Sequence, residues 1–264
     1  MIKKAYGKVN ITLEIVGKEG NYHLLESVVS AIDIYDTLTF KEAFKDEVSA
    51  NIEIKDNNIL KAIKLFKEET KVEKGVAIEL IKRIPIGYGL GSSSADISAT
   101  LLGLNELFKT NLSKDKLKQL AGKLGSDTVF SLENKRAFLT GRGEKVLLAD
   151  NYEPLSFLII LPKEPLLTKT VFNNYQFSDD YLGFKEHLSD NDYLIKKAKN
   201  DLLKTAINLN KEIKEIIAFG EANNIKINLT GAGSGLFVIN PTLKEIKLLK
   251  TNFKECQFLK AKEL

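Results

Sequence analysis

An α+β chain with two halves is predicted by three features of the sequence. Residues 8–15 and 76–81 alternate apolar and polar side chains, the period-two pattern of half-buried strands. Ile97, Leu101, Leu104 and Phe108 recur at spacings of four, three and four, the stripe of a helix with one apolar face. Beyond residue 155 the patterns run strand–helix–strand–strand–helix–strand, a ferredoxin-like order. A composition shift at Asn151-Tyr152-Glu153-Pro154 sets the expected boundary, giving domains 1–150 and 151–264.

Composition narrows the function classes. The 264 residues are 44% hydrophobic, enough for a substantial core. A net charge of +4, from 39 basic and 35 acidic residues, leaves no nucleic-acid footprint. Cys256 is the only cysteine, which excludes an intrachain disulfide and suits a reducing compartment. The longest apolar stretch, 157–161, is too short to span a bilayer, and the first residues lack a signal-peptide layout. The expectation is a soluble cytoplasmic protein with neither nucleic-acid nor membrane partners, a monomer or weak homodimer.

Taken in order, residues 8–15 read as one strand, with Val9, Ile11, Leu13 and Ile15 inward and Lys8, Asn10, Thr12 and Glu14 on a wet face. A turn over 17–22 leads to Tyr22-His23, then to strands near 28–34 and 37–40. Weak alternation over 48–55 ends at Asp56-Asn57-Asn58, which can cap a helix over 59–69 with Ile59, Ile63 and Phe66 on one face. Ser113 caps a second helix, 114–124, closed by Gly125 as a C′ glycine. Asp127 follows in a short polar turn and, on local grounds, reads first as another cap. A hairpin pairs 137–140 with 145–148 across Gly141-Arg142-Gly143-Glu144. The second half continues with a strand at 156–161, a short helix at 168–175 and a polar loop at 176–192. Helices at 193–209 and 212–223 and a strand at 225–229 come next. The turn 230–235, a strand at 236–239, a helix at 243–251 and a strand at 257–259 complete the chain.

The densest signal lies between the 76–81 strand and the helix that follows. Pro85 stops the strand, and Gly87, Gly89 and Gly91 fall within five residues, followed by Ser92, Ser93, Ser94 and Ala95 at the helix start. A helix N-terminus offers free N–H groups and the positive end of the dipole, glycines allow close backbone approach, and serines add donors. That suits a phosphate; a glycine-rich turn with capping serines is the alternative. The spacing is neither the Walker type nor that of a dinucleotide fold.

The run Pro85-x-x-x-Gly89-Leu90-Gly91-Ser92-Ser93-Ser94-Ala95 resembles the phosphate loop of the GHMP kinases. Lys8-Val9-Asn10 and Leu229-Thr230-Gly231-Ala232-Gly233-Ser234-Gly235 match the same superfamily in the right order. Tyr22-His23, Leu104-Asn105-x-Leu107, Leu124-Gly125-Ser126-Asp127, Gly141-x-Gly143-Glu144 and Asn200-Asp201-Leu202 resemble one branch of it. That branch phosphorylates the 2-hydroxyl of 4-diphosphocytidyl-2-C-methyl-D-erythritol in the non-mevalonate isoprenoid pathway. The branch's usual Gly-Leu-Gly-Gly-Gly-Ser-Ser-Asp is replaced here by the superfamily's serine version, 89–96.

The resemblance implies a two-domain GHMP kinase fold, its N-terminal half like domain 2 of ribosomal protein S5 and its C-terminal half ferredoxin-like. It implies ATP and Mg²⁺, with Pro85, Gly87, Gly89, Leu90, Gly91, Ser92, Ser93, Ser94 and Ala95 around the phosphates and Asn58 near the adenine. Asp127 would be the catalytic base and Lys8 its cationic partner. Asn10, Tyr22, His23, Thr168, Phe172 and Gly231 would bind the cytidyl diphosphate, Tyr22 and Phe172 sandwiching the base and His23 reading its edge. Two other readings stay open: a GHMP kinase of the homoserine or mevalonate type, and a non-catalytic GHMP-fold ligand sensor. The Tyr22-His23 pair argues against the first, and retention of both Lys8 and Asp127 against the second.

Overall fold

The computed structural model describes every residue except 21, 54–56 and 178–179. Strands β1 (Ile2–Asn10), β2 (Glu14–Glu19), β3 (Tyr22–Ala43) and β4 (Glu47–Ala50) lead to helix α1 (Asn58–Thr70) and strand β5 (Gly75–Ile81). Helices α2 (Ser92–Leu107), α3 (Lys114–Leu124) and α4 (Thr128–Ser131) follow, then the hairpin β6 (Ala137–Thr140) and β7 (Lys145–Leu148). Next come β8 (Ser156–Leu161), α5 (Thr168–Asn174), α6 (Asn191–Lys197), α7 (Leu203–Leu209) and α8 (Lys211–Ala222). Strands β9 (Asn228–Leu229) and β10 (Leu236–Ile239), helix α9 (Leu243–Asn252) and strand β11 (Gln257–Lys262) complete the chain.

Contacts define two compact units. One comprises Met1–Gly7, Ile34–Pro85 and Gly91–Asn134; the other comprises Lys8–Asp33, Ile86–Leu90 and Lys135–Leu264. Packing therefore divides the chain differently from a single boundary near residue 151.

In the first unit β3 runs antiparallel to β5, with Leu38 opposite Leu80 and Phe40 opposite Ile78, and β4 adds parallel to β5. Helix α2 packs against α1, α3 and α4. Ile59, Ile63 and Phe66 of α1, Leu101 and Leu104 of α2, and Leu117 and Leu120 of α3 are buried, as their spacings predict. Asn57 caps α1 through Leu60 N at 3.3 Å, and Ser113 caps α3 through Lys116 N at 3.2 Å. Asp56, expected to share the first cap, lies outside the described residues, as does Lys55 at the end of the expected 48–55 strand.

In the second unit the four-stranded sheet has the order β11-β8-β10-β9, every neighbouring pair antiparallel. This is the ferredoxin-like half. Strands β8 and β10 supply Leu158, Ile160, Leu236 and Val238 to a core closed by Leu202 and Ala206, near and on α7, and Ile213 and Ile216 on α8. The hairpin β6–β7 joins β3 at Ser27 opposite Leu139.

Four local expectations are corrected. The strand expected over 8–15 is broken at Ile11 and Thr12, and it has no wet face: Lys8, Asn10, Thr12 and Glu14 are all buried, because each finds polar partners inside. The two strands expected at 28–34 and 37–40 are one strand, β3, continuous through a buried Asp36 that accepts hydrogen bonds from Arg83 N and Ile84 N. The helix expected over 193–209 is split into α6 and α7. The intervening backbone pairs instead with the end of the first strand region, Leu13 N donating to Lys199 O and Asp201 N to Leu13 O, both at 2.9 Å. Finally, Gly125 closes α3 with φ 170°, extended rather than left-handed; a Cβ there would sit 2.9 Å from Thr128 Oγ1, so room is what that position requires.

One ion pair is wholly buried in the second unit. The Arg136 guanidinium donates to Glu263, Nη2–Oε2 at 2.6 Å and Nε–Oε1 at 3.0 Å, and to Asn191 Oδ1 at 2.8 Å. It also lies 4.1 Å from the Tyr152 ring centre. Removing one partner of such a pair strands the other charge, so Glu263→Ala should destabilise the fold by about 3–5 kcal/mol. Denaturant titration checks this; a loss below about 1 kcal/mol, the worth of a surface pair, would show that the ion pair contributes little.

Candidate active site

Three stretches far apart in sequence meet in the second unit. Lys8 N donates to Leu90 O at 2.9 Å, Asn10 N to Thr230 Oγ1 at 3.0 Å, and Thr230 Oγ1 to Gly89 O at 3.3 Å. The contact is backbone on backbone. A Cβ on Gly89 would overlap the Thr230 carbonyl, and one on Gly235 would overlap the Tyr88 carbonyl. Gly87, Gly89 and Gly91 have φ of 87°, 73° and 72°, the left-handed region open to glycine. Tyr88 anchors the same loop, its hydroxyl donating to Pro162 O at 2.9 Å. The Lys8 ammonium donates to Asn10 Oδ1, and Asn10 Nδ2 to Ser27 Oγ at 2.8 Å. A Cβ on Gly231 would lie 3.5 Å from Lys8 Nζ. Lys8, Asn10, Gly89, Leu90 and Gly231, named from the sequence, thus form one cluster.

The first unit holds the helix start. Pro85 precedes the loop, and Ala95 N donates to Gly91 O at 3.0 Å, closing the first turn of α2. The three serines separate. Ser92 is buried, its hydroxyl engaged with Lys82 and Asp36. Ser93 is exposed and accepts from Asn58 Nδ2 at 2.8 Å, so Asn58 touches the loop's helix as well as lying on α1. Ser94 is half-buried. Asp127 is the N-cap residue of α4 by position, but its side chain makes no capping hydrogen bond, which removes the local reading of that carboxylate.

Beneath Ser92 the Lys82 ammonium joins Asp36 and Asp96, the latter at 2.6 Å. Neither Lys82 nor Asp36 was singled out in the sequence. They are 46 positions apart, and only pairing of β3 with β5 brings them together. Burial pushes the Asp96 carboxyl up to about 7 from its usual 3.8, Asp36 adding to the rise and Lys82 opposing it. Folded Asp96 therefore holds its proton more tightly than unfolded Asp96. The stabilisation from that proton is present below about pH 4 and is lost as the pH rises through about 7.

The aromatic residues are arranged differently from the expected sandwich. His23 lies 5.3 Å from Phe172, 5.9 Å from Tyr175 and 5.8 Å from Phe177 between ring centres. Tyr22 is 57% exposed with the Arg142 guanidinium 4.3 Å from its ring centre. Neighbouring strand residues point to opposite faces, so Phe172 joins His23 while Tyr22 pairs with Arg142. Burial, with the nearby Lys18, lowers the His23 pKa, favouring the neutral imidazole. Thr168 is exposed at the start of α5. Sequence reading missed Tyr175 and Phe177, whose spacing from Phe172 carries no strand or helix signature, and Arg142, the unspecified position within the Gly141-x-Gly143-Glu144 string. Among the described residues no group of three His, Cys, Asp or Glu stands close enough to hold a metal ion, and no helix is long and apolar enough to cross a membrane.

The buried Asp96 carboxyl gives a direct check. Its ¹³C resonance should titrate near pH 7, and the stability of the parent relative to Asp96→Asn should fall between about pH 4 and pH 7. A midpoint near 4 would mean that Lys82 outweighs the burial.

The GHMP kinases N terminal domain family matches residues 57–135. A 4-diphosphocytidyl-2-C-methyl-D-erythritol kinase of Clostridium acetobutylicum is 34% identical over 92% of this chain and 91% of its own length. One of Thermoanaerobacter pseudethanolicus is 30% identical over 96% and 91%. The fold superposes on a crystal structure of 4-(cytidine 5'-diphospho)-2C-methyl-D-erythritol kinase with TM-score 0.82 at 24% identity, covering 99% of this chain and 98% of that one. It superposes on the Methanococcus jannaschii mevalonate kinase with TM-score 0.68 at 18% identity, covering 100% and 98%. Together with the loop, the Lys8 strand and the 230–235 turn, these matches place the chain: it belongs to the GHMP kinases, in the family of the 4-diphosphocytidyl-2-C-methyl-D-erythritol kinases.

Proposed function

We propose that this chain transfers the γ-phosphoryl group of ATP to the 2-hydroxyl of 4-diphosphocytidyl-2-C-methyl-D-erythritol, a step of the non-mevalonate isoprenoid pathway. The observation that carries the reading is the convergence of Lys8, Asn10, Gly89, Leu90 and Gly231 in one cluster, in a chain whose relatives carry that activity over nearly their full length. As a GHMP kinase it is an ATP-dependent small-molecule kinase, and we take it to work in the cytoplasm as a monomer or weak homodimer.

Phosphoryl transfer needs positioning and charge neutralisation more than covalent help. The backbone N–H groups of 87–94, at the N-terminus of α2, receive the phosphates. Ser93 and Ser94 supply side-chain donors; Ser92, tied to Lys82 and Asp36, contributes its backbone and holds the helix start. The hydroxyls of Ser93 and Ser94 would help hold Mg²⁺ together with the nucleotide phosphates, without an all-protein cage. The chemistry of Mg²⁺, when bound, is neutralisation of phosphate charge. Asp127 accepts the proton of the substrate hydroxyl as its oxygen bonds to the γ-phosphorus and the bond to the ADP oxygen breaks. Lys8, held by Asn10, faces the charge that develops on the transferring group. The base lies against Phe172 and its neighbours Tyr175 and Phe177, and neutral His23, with one donor and one acceptor nitrogen, reads its edge. Asn10, Thr168 and Gly231 line the path of the diphosphate and sugar.

A coupled ADP-release assay with the cytidyl substrate, homoserine and mevalonate tests the reading. Turnover is expected with the cytidyl compound alone; activity restricted to either other alcohol would move the chain to that branch. Asp127→Asn should lower turnover by on the order of 10²–10⁴ while both ligands still bind. Lys8→Met should also lower turnover, and the double variant should be little worse than the poorer single one. Full turnover in Asp127→Asn would remove the proposed base. Phe172→Ala should weaken the cytidyl substrate by about 1–3 kcal/mol and spare ATP, as read from the two Michaelis constants.

A further inference from the structure

Residues 172–177 and 181–183 both touch the strand that carries His23. Phe172, Tyr175 and Phe177 pack on the His23 ring. Residues 181–183 meet two carboxylates. Glu14 on β2 stands directly opposite Glu26 on β3. Like charges in that register repel, and a side chain as buried as Glu14, 1% exposed, must be compensated. The compensation comes from residues 182–183 and from Lys199. Leu182 N donates to Glu14 Oε1 at 2.7 Å and Gly183 N to Oε2 at 3.1 Å, while Lys199 Nζ lies 3.3 Å from Oε1 and 3.0 Å from Asp201. The Tyr181 hydroxyl donates to Glu26 Oε2 at 2.7 Å, and this bond pushes the phenol up to about 12. Gly183, at φ 70°, supplies the left-handed residue that lets three consecutive residues serve both carboxylates.

We propose that Glu14 is a specificity-positioning residue. It clasps the backbone of Leu182 and Gly183, with Glu26 holding Tyr181, and so keeps the aromatic wall of 172–177 assembled against His23 before substrate arrives. The inference rests on reading His23 and its neighbours as the base pocket. The physical case is one of preorganisation. Residues 181–183 belong to no helix or strand, so they are held by these specific bonds, and a wall ordered in advance costs the ligand less to bind. Glu14 touches no substrate in this account. It acts through the segment it holds, and its signature is therefore a selective effect on one of the two ligands.

The test compares Glu14→Gln, which removes the charge and one acceptor oxygen, with Tyr181→Phe, which removes only the phenol hydroxyl. The Michaelis constant for the cytidyl substrate should rise about tenfold in Glu14→Gln, the worth of a lost charge-assisted hydrogen bond, and less in Tyr181→Phe. The constant for ATP and the turnover number should stay within about twofold in both, because neither the nucleotide loop nor Asp127 is touched. Hydrogen exchange at the amides of Leu182 and Gly183 should quicken in Glu14→Gln. An unchanged cytidyl constant with quickened exchange would overturn the proposal, as would an equal rise in both constants, which marks a general loss of fold. If Glu14→Gln does not fold, Tyr181→Phe decides alone by the same split. A parent that neither turns over the cytidyl substrate nor binds cytidine diphosphate refutes the base-pocket reading, and this inference with it. A parent that does both isolates the variants as the test of Glu14.

Discussion

Residues 88–90 and the turn at 230–235 approach each other backbone to backbone, and the rest of the site depends on that approach. No side chain fits between Gly89 and the Thr230 carbonyl, or between Gly235 and the Tyr88 carbonyl. With the gap closed, the Leu90 carbonyl accepts from Lys8 and the Thr230 hydroxyl bridges Asn10 and Gly89. Asn200 secures the far side, its amide donating to Leu229 O at 2.9 Å and Gly231 O at 2.8 Å. Two glycine-rich strings separated by more than a hundred residues thus form one bonded unit, with the position of Lys8 fixed by it. The polar residues there are held before any ligand binds, which is how a site spends little on reorganisation.

The polar interior follows one rule. Lys8 with Asn10 and Ser27, Lys82 with Asp36 and Asp96, Glu14 with Lys199, and Arg136 with Glu263 are each charged groups taken out of water and given charged or hydrogen-bonding partners. Such groups add little net stability, since desolvation offsets the attraction. They are directional, and those of Lys82, Glu14 and Arg136 each connect segments distant in sequence. Lys82 ties the strand before the glycine-rich loop to the helix after it; Glu14 ties β2 to the residues after the aromatic wall. Cys256 stands apart from this: its thiol is pushed up to about 12, chiefly by burial and by its bond to Glu212, and is poorly nucleophilic.

Much of the fold was legible in the sequence because local patterning and tertiary packing agree. The helices at Asn58–Thr70 and Lys114–Leu124 begin where Asn57 and Ser113 predict, and the hairpin at Ala137–Thr140 and Lys145–Leu148 lies where its turn residues place it. The family strings pointed to residues 85–95, Lys8 and Asp127 as the proposed site. What could not be read was long-range. The alternation over 8–15 suggested a wet face, since nothing local says that Asn10 will meet Thr230 or that Glu14 will meet Leu182. The break between α6 and α7 is dictated by Leu13 and Ile15, nearly two hundred positions away. Ser92 looked equivalent to Ser93 and Ser94, and only the buried Lys82 separates it from them.

The most direct measurement of whether that backbone contact builds the nucleotide site is a calorimetric titration of ATP into Gly235→Ala. Gly235 is in the turn against which the loop packs, and the added methyl must displace Tyr88 and the loop with it. ATP should bind at least about tenfold more weakly, with the far-ultraviolet circular dichroism of the parent retained. Parent-like ATP affinity in that folded variant would contradict the account, for the loop would then bind its ligand without the contact that positions it.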